Sequence, residues 1–429
     1  MRVALVNPPW TFEGSVYFGC REAHLPVEYG YARALLESEG HQARIFDAHL
    51  AKQDLATLRE EVAGFTPELI VVTTAPSYLF WRCAPPELRV PMQTTRALAV
   101  LGASVIAVGP HASTTPRATL EKLGADAVVM GECEEVLCTL ARTPRADWGQ
   151  IGSIAHKDAG QVSIQGTPHA CDIEKLPALK WDDAFVAAHG HHHHRFETPP
   201  YGPGAEVEAS RGCPYHCTFC AKDTFRDKFR KRPLHVVIEE IDALIAQGVR
   251  YIYFIDEIFV PNRALLEALV ARDVAFGVEM RIDNWTPETL DLLGRAGCVS
   301  IEAGVESITE SGRSLLAKRC RLSTVELTAL LIHARRSIPF VQANLIGKND
   351  DANEVAAWRA HLLSRDVWSN DPVPLFPYPG SPEYTLKWGP PDDVAWERAT
   401  KHYLAEFQAF SDIQEGRPKP LSELEARES

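Results

Sequence analysis

Arg211-Gly212-Cys213-Pro214-Tyr215-His216-Cys217-Thr218-Phe219-Cys220 sets three cysteines in the spacing C-x3-C-x2-C. The run before it, Ala205-Glu206-Val207-Glu208-Ala209-Ser210, alternates like a strand, and Gly-Cys-Pro then breaks it into a loop. A tight loop can turn three thiolates inward, and soft sulfur ligands select iron–sulfur clusters. Such clusters usually take four cysteines, so three local ones leave one iron with an open site. An open iron can bind a substrate or cofactor as well as pass electrons. Zinc is the competing reading, because His216 lies inside the run and zinc wants a fourth Cys or His.

Downstream of the loop, strands and helices alternate. Strands are expected at Tyr251–Ile255, Ala275–Ile282, Val299–Ala303, Phe340–Ile346 and Asp371–Phe376. Helices are expected at His235–Ala246, Arg263–Arg272, Pro287–Arg295, Thr324–Arg335 and Ala352–Leu363. With the strand before the cysteines, these make six β-α units over residues 205–385. The pattern fits a partial (β/α)6 TIM-like barrel, in which catalytic groups sit at the carboxyl ends of strands. The cysteine loop follows the first strand, as such a site requires.

Upstream, residues 1–140 show a second β-α series. Val3–Val6, Ala43–Phe46, Leu69–Thr73, Ser104–Val108 and Ala127–Met130 read as strands, with helices at Tyr29–Glu39 and Pro91–Leu101. Leu69–Thr73 is continuously apolar, the type of strand buried on both faces. The fold class is therefore α/β, with an N-terminal doubly wound, Rossmann-like parallel sheet. Ligands of such sheets bind beyond the strand carboxyl ends. Those ends carry Asn7-Pro8-Pro9, Thr73-Thr74-Ala75-Pro76-Ser77, Gly109-Pro110-His111 and Gly131-Glu132-Cys133-Glu134.

Cys213, Cys217 and Cys220, with aromatic Phe219 before the last, resemble the signature of radical S-adenosylmethionine (SAM) enzymes. The resemblance implies a [4Fe–4S] cluster whose open iron chelates SAM, and SAM cleavage to a 5′-deoxyadenosyl radical. It also implies roles at the strand ends. Asp256-Glu257 resembles the acidic stretch that meets the SAM amino group. Arg281 would meet the methionine carboxylate or ribose. Gly304-Val305-Glu306-Ser307 matches the G-x-E-S segment, which places Glu306 and Ser307 at the cofactor. Asn344-Leu345-Ile346-Gly347 resembles the adenine-side segment, although Lys348-Asn349-Asp350 replaces its usual glycine-rich continuation.

The first β-α series resembles the cobalamin-binding domain that precedes the radical domain in one subfamily. That resemblance rests on the Asn-Pro-Pro start, the Gly-Pro-His loop and the Gly-Glu-x-Glu loop, and no D-x-H-x-x-G motif accompanies them. It implies cobalamin contacts from Asn7, Pro8, Thr74, Ser77, Gly109, Pro110, His111, Gly131 and Glu132, with Tyr78-Leu79-Phe80-Trp81 covering the lower face. Read one at a time, these loops also suit simple chain turns. Together the resemblances imply a cobalamin-dependent C-methyltransferase. A radical rearrangement, cyclisation or oxidation is the first alternative, and a non-catalytic cobalamin and iron–sulfur sensor the second.

Residues 141–204 read as a linker holding a small hairpin near Gly152–His156 and Gln161–Ile164. It includes His191–His194, which suit either a metal or a solvated loop. Residues 386–429 form a helical extension whose Asp393–Phe410 segment is expected to cover the barrel mouth. The net charge of −13 argues against nucleic-acid binding. No apolar run approaches the ~20 residues that span a bilayer, and the N-terminus lacks a signal-peptide pattern. Ten mostly scattered cysteines suit a reducing cytoplasm better than a disulfide framework. Lys222, Arg226, Lys228, Arg230, Lys231 and Arg232 form a basic run suited to an anionic group of a small-molecule substrate, to an electron donor such as flavodoxin, or simply to solvent.

Overall fold

The computed structural model describes residues 1–12, 23–77, 87–158, 160–189, 202–222, 225–347 and 350–406. Tyr78–Trp81, His191–His194, Lys348, Asn349 and the tail from 407 onward lie outside the described residues. The described chain forms two units. One comprises residues 1–179, 220–227 and 377–406, the other 180–219 and 228–376. No helix among the described residues is long and apolar enough to cross a membrane.

In the first unit, β1 (Arg2–Asn7), α1 (Val27–Ser38), β2 (Gln42–Asp47), α2 (Leu55–Phe65), β3 (Leu69–Thr73) and α3 (Arg89–Ala99) alternate. They continue into β4 (Ser104–Val108), α4 (Pro110–Thr114), α5 (Pro116–Leu123), β5 (Ala127–Val129) and α6 (Glu134–Arg142). The strands pair in parallel in the order β2-β1-β3-β4-β5. Every residue of β3 is buried, as its unbroken apolar run requires. Helix α2 escapes the periodicity because it buries only Leu58 and Val62, one turn apart. Its start is nevertheless coded: the Asp54 side chain accepts from Thr57 N.

The sheet does not stop at residue 140. β6 (Ile154–Asp158) and β7 (Gln161–Gln165) form the expected hairpin, but β6 also pairs antiparallel with β5. Residues 141–179 therefore extend the first sheet to seven strands and are not a linker. Ile154 and Ala155 are fully buried by that pairing, which an isolated hairpin does not provide. The chain after β7 then runs against Gly131, where φ is +81°. A Cβ at Gly131 would lie 2.3 Å from the His169 carbonyl oxygen, so this glycine is demanded by close backbone approach.

The second unit begins with α7 (Asp183–Ala188), β8 (Gly204–Val207), β9 (Ser210–Arg211), β10 (Arg230–Lys231), α8 (Leu234–Ala246), β11 (Tyr251–Phe254) and α9 (Arg263–Leu269). It continues with β12 (Ala275–Met280), α10 (Pro287–Arg295), β13 (Cys298–Glu306), α11 (Glu310–Leu315), α12 (Thr324–Ala334) and β14 (Phe340–Gly347). It ends with α13 (Ala352–Leu363), β15 (Trp368–Ser369) and β16 (Val373–Pro374). The parallel order β8-β11-β12-β13-β14-β15 follows the chain.

The single strand expected at Asp371–Phe376 is instead two short ones, both paired with β14. Between them the Asn370 side chain occupies the ladder: its Oδ1 accepts from Leu345 N at 2.7 Å and its Nδ2 donates to Leu345 O at 3.2 Å. Pro372 and Pro374 have no N–H to continue a regular strand.

This sheet has two unlike faces. Ile252, Phe254, Phe276, Val278, Ile301 and Val341 on one face are all buried. The alternate positions carry Glu206, Tyr253, Glu279, Glu302, Gln342 and Asn344.

After residue 376 the chain rejoins the first unit as α14 (Pro382–Trp388) and α15 (Ala395–Glu406). The described part of the Asp393–Phe410 segment packs within the first unit. Trp396 Nε1 donates to Thr115 Oγ1 at 2.8 Å, and its ring lies 4.7 Å from that of His111. Lys122 pairs with Glu397 on the same side. The aromatic spacing correctly marked a buried helix face but could not say which surface it meets.

Candidate functional site

The cysteine loop is gripped from several sides. Arg211, immediately before Gly212-Cys213, donates from Nε and Nη2 to the two carboxylate oxygens of Glu208, each at 2.9 Å. Both side chains are fully buried. Arg232 donates to the Glu208 carbonyl and to Glu240 Oε2, each at 2.8 Å, and the β9–β10 pairing ties the same segment down.

Asp256 and Glu257, just past β11, hold the entry to the loop. Asp256 Oδ1 accepts from Ala209 N at 2.8 Å, and the Ser210 hydroxyl donates to Oδ2. Glu257 Oε2 accepts from Gly212 N at 2.7 Å. Both carboxylates thus engage the backbone that delivers Cys213. Burial lifts the Asp256 carboxyl to about 8, against smaller lowering effects of its hydrogen bonds.

That shift has a definite pH sign. The folded pKa lies above the ordinary carboxylate value, so the folded state retains a proton that the unfolded chain releases. The associated stability is complete below about pH 4 and is lost as pH rises through about 8. Chemical denaturation of the cluster-free chain from pH 5 to 8.5 should show declining stability, by at most about 1.4 kcal/mol per pH unit from this group. Asp256→Asn should remove that component; an unchanged slope would exclude Asp256 as its source.

The far side of the loop meets the ends of β12 and β13. The Arg281 guanidinium sits 3.7 Å from the Tyr215 ring centroid, and Tyr215 donates its hydroxyl proton to Asn284 Oδ1 at 2.6 Å. Arg281 Nε and Nη2 bond Asp283 at 3.1 and 2.7 Å. Burial alone would raise the Asp283 carboxyl, but the bonds and charge of Arg281 hold it below its ordinary value. Thr218 N donates to Leu316 O at 3.0 Å, joining the loop to the turn that carries Lys318. Lys318, only 3% exposed, places Nζ 3.2 Å from Glu306 Oε1.

Backbone strain is concentrated here: Glu306, Ala317 and Arg319 all have positive φ, at 68°, 50° and 52°. Two left-handed residues flanking Lys318 turn it inward. Burial raises the Cys217 thiol, while Lys318 and Arg281 oppose that rise. Ser307 faces an internal knot, donating to Asp350 Oδ1 at 2.7 Å, and Asp350 Oδ2 accepts from Ile308 N at 2.8 Å.

Cys213, Cys217 and Cys220 are in no disulfide, and each is half-buried, as is Phe219. Cys220 opens the short first-unit segment 220–227. Two buried cations near Cys217 suit a thiolate-bound anionic cluster, and Arg281 Nη1 is buried with no hydrogen-bond partner among the described residues. His216, the ligand a zinc site would need, is exposed.

At the carboxyl ends of the first sheet, the loops named from sequence come together through mutual hydrogen bonds. Asn7 Nδ2 donates to Asp47 Oδ1 at 2.9 Å, and Asn7 Oδ1 accepts from Trp10 Nε1 at 2.8 Å. Pro8, next along the chain, is buried. Thr74 Oγ1 lies 3.1 Å from His111 Nδ1. Ser77 donates to Glu28 at 3.4 Å, and Ser113 Oγ accepts from Gly131 N at 2.7 Å. Glu132 Oε2 accepts from Cys171 N at 2.8 Å. Gly109, with φ of 131°, turns the chain into Pro110 at the start of α4. Strand order reverses between β1 and β3, where Asn7 and Thr74 sit, the position at which open α/β sheets bind ligands.

The basic run does not form one cationic surface. Lys222, Arg226 and Arg232 are buried, Lys222 against Asp227 at 2.5 Å and Arg232 against Glu240. Lys228 and Lys231 are the exposed members. Sequence reasoning missed Tyr215, Asp283 and Lys318. Tyr215 was legible as an aromatic inside the motif; Lys318 depends on a strained turn that no local pattern announces.

Residues 207–357 match the Radical SAM superfamily. The anaerobic magnesium-protoporphyrin IX monomethyl ester cyclase of Cereibacter sphaeroides is 27% identical over 411 residues, covering 88% of this chain and 63% of that protein. The tryptophan 2-C-methyltransferase of Streptomyces laurentii is 26% identical over 371 residues, covering 71% of this chain and 59% of that protein. The chain thus spans less than two thirds of the length of these curated relatives. In fold it is similar to the radical S-adenosylmethionine methyltransferase TsrM from Kitasatospora setae, whose structure has cobalamin and a [4Fe–4S] cluster bound. There the TM-score is 0.67 at 21% identity, over 89% of this chain and 76% of that one. The superfamily match starts at the end of β8, takes in the three-cysteine loop and its carboxylate and cationic supports, and runs past β14.

Proposed function

We propose that the chain is a cobalamin-dependent radical SAM enzyme that methylates an unactivated carbon of a small molecule. The observation that carries the reading is the three-thiol loop, held by Asp256 and Glu257 on one side and backed by Arg281 and Lys318 on the other. When bound, the [4Fe–4S] cluster, SAM and cobalamin supply an electron, a hydrogen-abstracting radical and a methyl group.

The residues of the chain bind and orient. Cys213, Cys217 and Cys220 would hold the cluster, and Arg281 Nη1 would offer its buried N–H to the methionine carboxylate. Lys318, with Glu306, adds a second cation for the same charge. The loops at Asn7, Thr74, Gly109 to His111 and Gly131 form the cobalamin crevice of the first sheet, a reading supported by the cofactors of TsrM. We read β8 and β11 to β15 as an open (β/α)6 barrel, with the substrate on its polar face. A reducing cytoplasm and an electron donor such as flavodoxin suit this chemistry, and Lys228 and Lys231 offer that donor exposed cations.

A second reading is favoured by the relative named as a cyclase: a radical reaction on the same apparatus with no methyl transferred. Anaerobic reconstitution with iron, sulfide and cobalamin, followed by reduction with SAM present, separates the readings. Corrin absorbance on the purified chain, with both 5′-deoxyadenosine and S-adenosylhomocysteine formed, is expected. 5′-Deoxyadenosine alone would favour the second reading, and intact SAM would refute both.

A further inference from the structure

The end of β13 is bent in a way that its own residues do not explain. Gly304 pairs with Asn344 but Glu306 pairs with Leu345, so β13 carries one residue more than β14 here, a bulge that re-aims the side chain. Glu306 sits just past it in the left-handed region, which a residue other than glycine keeps only when its surroundings impose it. A Cβ at Gly304 would lie 2.4 Å from Glu306 Oε1 and 3.4 Å from Lys318 Nζ, so the Glu306–Lys318 pair rests directly on the strand end.

Arg313, in α11, ties both strained segments together. Its Nη1 donates to Ser307 O at 2.9 Å and to Thr324 Oγ1 at 3.2 Å, and its Nη2 donates to Leu322 O at 3.1 Å. The Arg313 carbonyl accepts from Lys318 N at 3.0 Å. One residue thus fixes the peptide that follows Glu306 and brackets the turn that carries Lys318. The Thr324 hydroxyl extends the tie by donating to Ile308 O.

A buried arginine is a costly way to fill an interior. The Arg313 side chain is 2% exposed, and its ion pair with Glu310 is loose, at 3.6 Å, with the Glu310 side chain mostly in solvent. An aliphatic side chain would occupy the space with less desolvation. It could not bond two carbonyls and a hydroxyl at once, which the planar guanidinium does. Those bonds run to the backbone on either side of Glu306 and Lys318, the pair that faces the cysteine loop through the influence of Lys318 on Cys217.

We propose that Arg313 is a positioning residue for SAM, holding the Glu306–Lys318 pair so that Lys318 meets the methionine carboxylate. The inference rests on the radical SAM reading and adds to it a residue that touches no cofactor.

The test is a double-mutant cycle on SAM binding, measured by calorimetry on the reconstituted, unreduced full chain. Arg313→Lys keeps the charge but loses the fork, and should weaken SAM binding about tenfold at unchanged iron content. Lys318→Met removes the cation itself and should weaken binding by about tenfold or more. The double variant should bind no more weakly than Lys318→Met alone, because Arg313 acts through Lys318. Thr324→Val removes one acceptor of Arg313 and leaves the arginine in place; a loss of about threefold is expected, and it carries the same cycle if Arg313→Lys does not fold. A role confined to stability would lower the melting temperature and leave the SAM affinity of the folded chain unchanged. That result, or losses that add in the double variant, would overturn the inference. Iron lost in step with SAM affinity would also overturn it, by assigning Arg313 to the cluster loop. Failure of the wild type to bind SAM would refute the enzyme reading and the inference with it, whereas additive losses against a wild type that binds refute the inference alone.

Discussion

Cys217→Ala should abolish reductive cleavage of SAM, taking 5′-deoxyadenosine formation to background, while the chain stays folded. Cys217 is half-buried and is the middle thiol of the three. Burial raises its pKa, so in the cluster-free chain it is held as a neutral thiol. Arg281 and Lys318 lower the cost of the thiolate once iron is present. Alanine would remove one of the three proposed ligands, and with it the thiolate that Arg281 and Lys318 favour. Iron content after reconstitution should fall together with cleavage. Thermal stability of the iron-free chain should change by about 1 kcal/mol or less, because the loop backbone is held by Glu257 and Leu316 rather than by the sulfur. Cleavage retained at a tenth of wild type or more would refute the cluster assignment.

Arg211→Ala should be the most damaging change to the scaffold. The Arg211 and Glu208 side chains are both fully buried and joined by a two-pronged ion pair. Deleting one partner leaves a carboxylate in the interior without its fork of donors, and such losses cost about 3–5 kcal/mol. Arg211 also sits two positions before Cys213, so the damage reaches the cluster loop. A urea titration should show the unfolding free energy falling by that amount, with iron loading reduced in proportion to the unfolded fraction. Arg211→Lys keeps the charge but not the planar fork, and should recover only part of the loss. A stability change under about 1 kcal/mol for the alanine variant would show that the pair does not hold the loop.

The interplay of local and distant effects is visible in particular residues. The strands at Leu69–Thr73 and Ser104–Val108 and the helices at Pro287–Arg295 and Ala352–Leu363 stand where periodicity puts them. Their hydrophobic runs and terminal glycines or capping residues are local signals. The hairpin after residue 153 was legible as a hairpin, but its union with β5 was not, because edge pairing depends on a partner some 25 residues away. The same limit applies to α15: Trp396, Ala399 and Tyr403 mark a buried face, and only the fold reveals that His111 and Thr115 lie beneath Trp396.

By itself, the sequence determined the chemistry-bearing loop, the two β-α series and the strand ends from which ligands can be bound. Those features follow from residue type and spacing over a few turns of chain. Tertiary structure decided what each charged residue faces. Asp256 and Glu257 turn to the backbone entering the cysteine loop, half of the basic run turns inward, and Lys318 is swung toward Glu306 by two left-handed residues. A carboxylate or ammonium reads the same in sequence whether it meets solvent, backbone or an opposite charge. Its partner is fixed by burial and by the packing of strands far apart in the chain, where the cost of an unpaired charge is high.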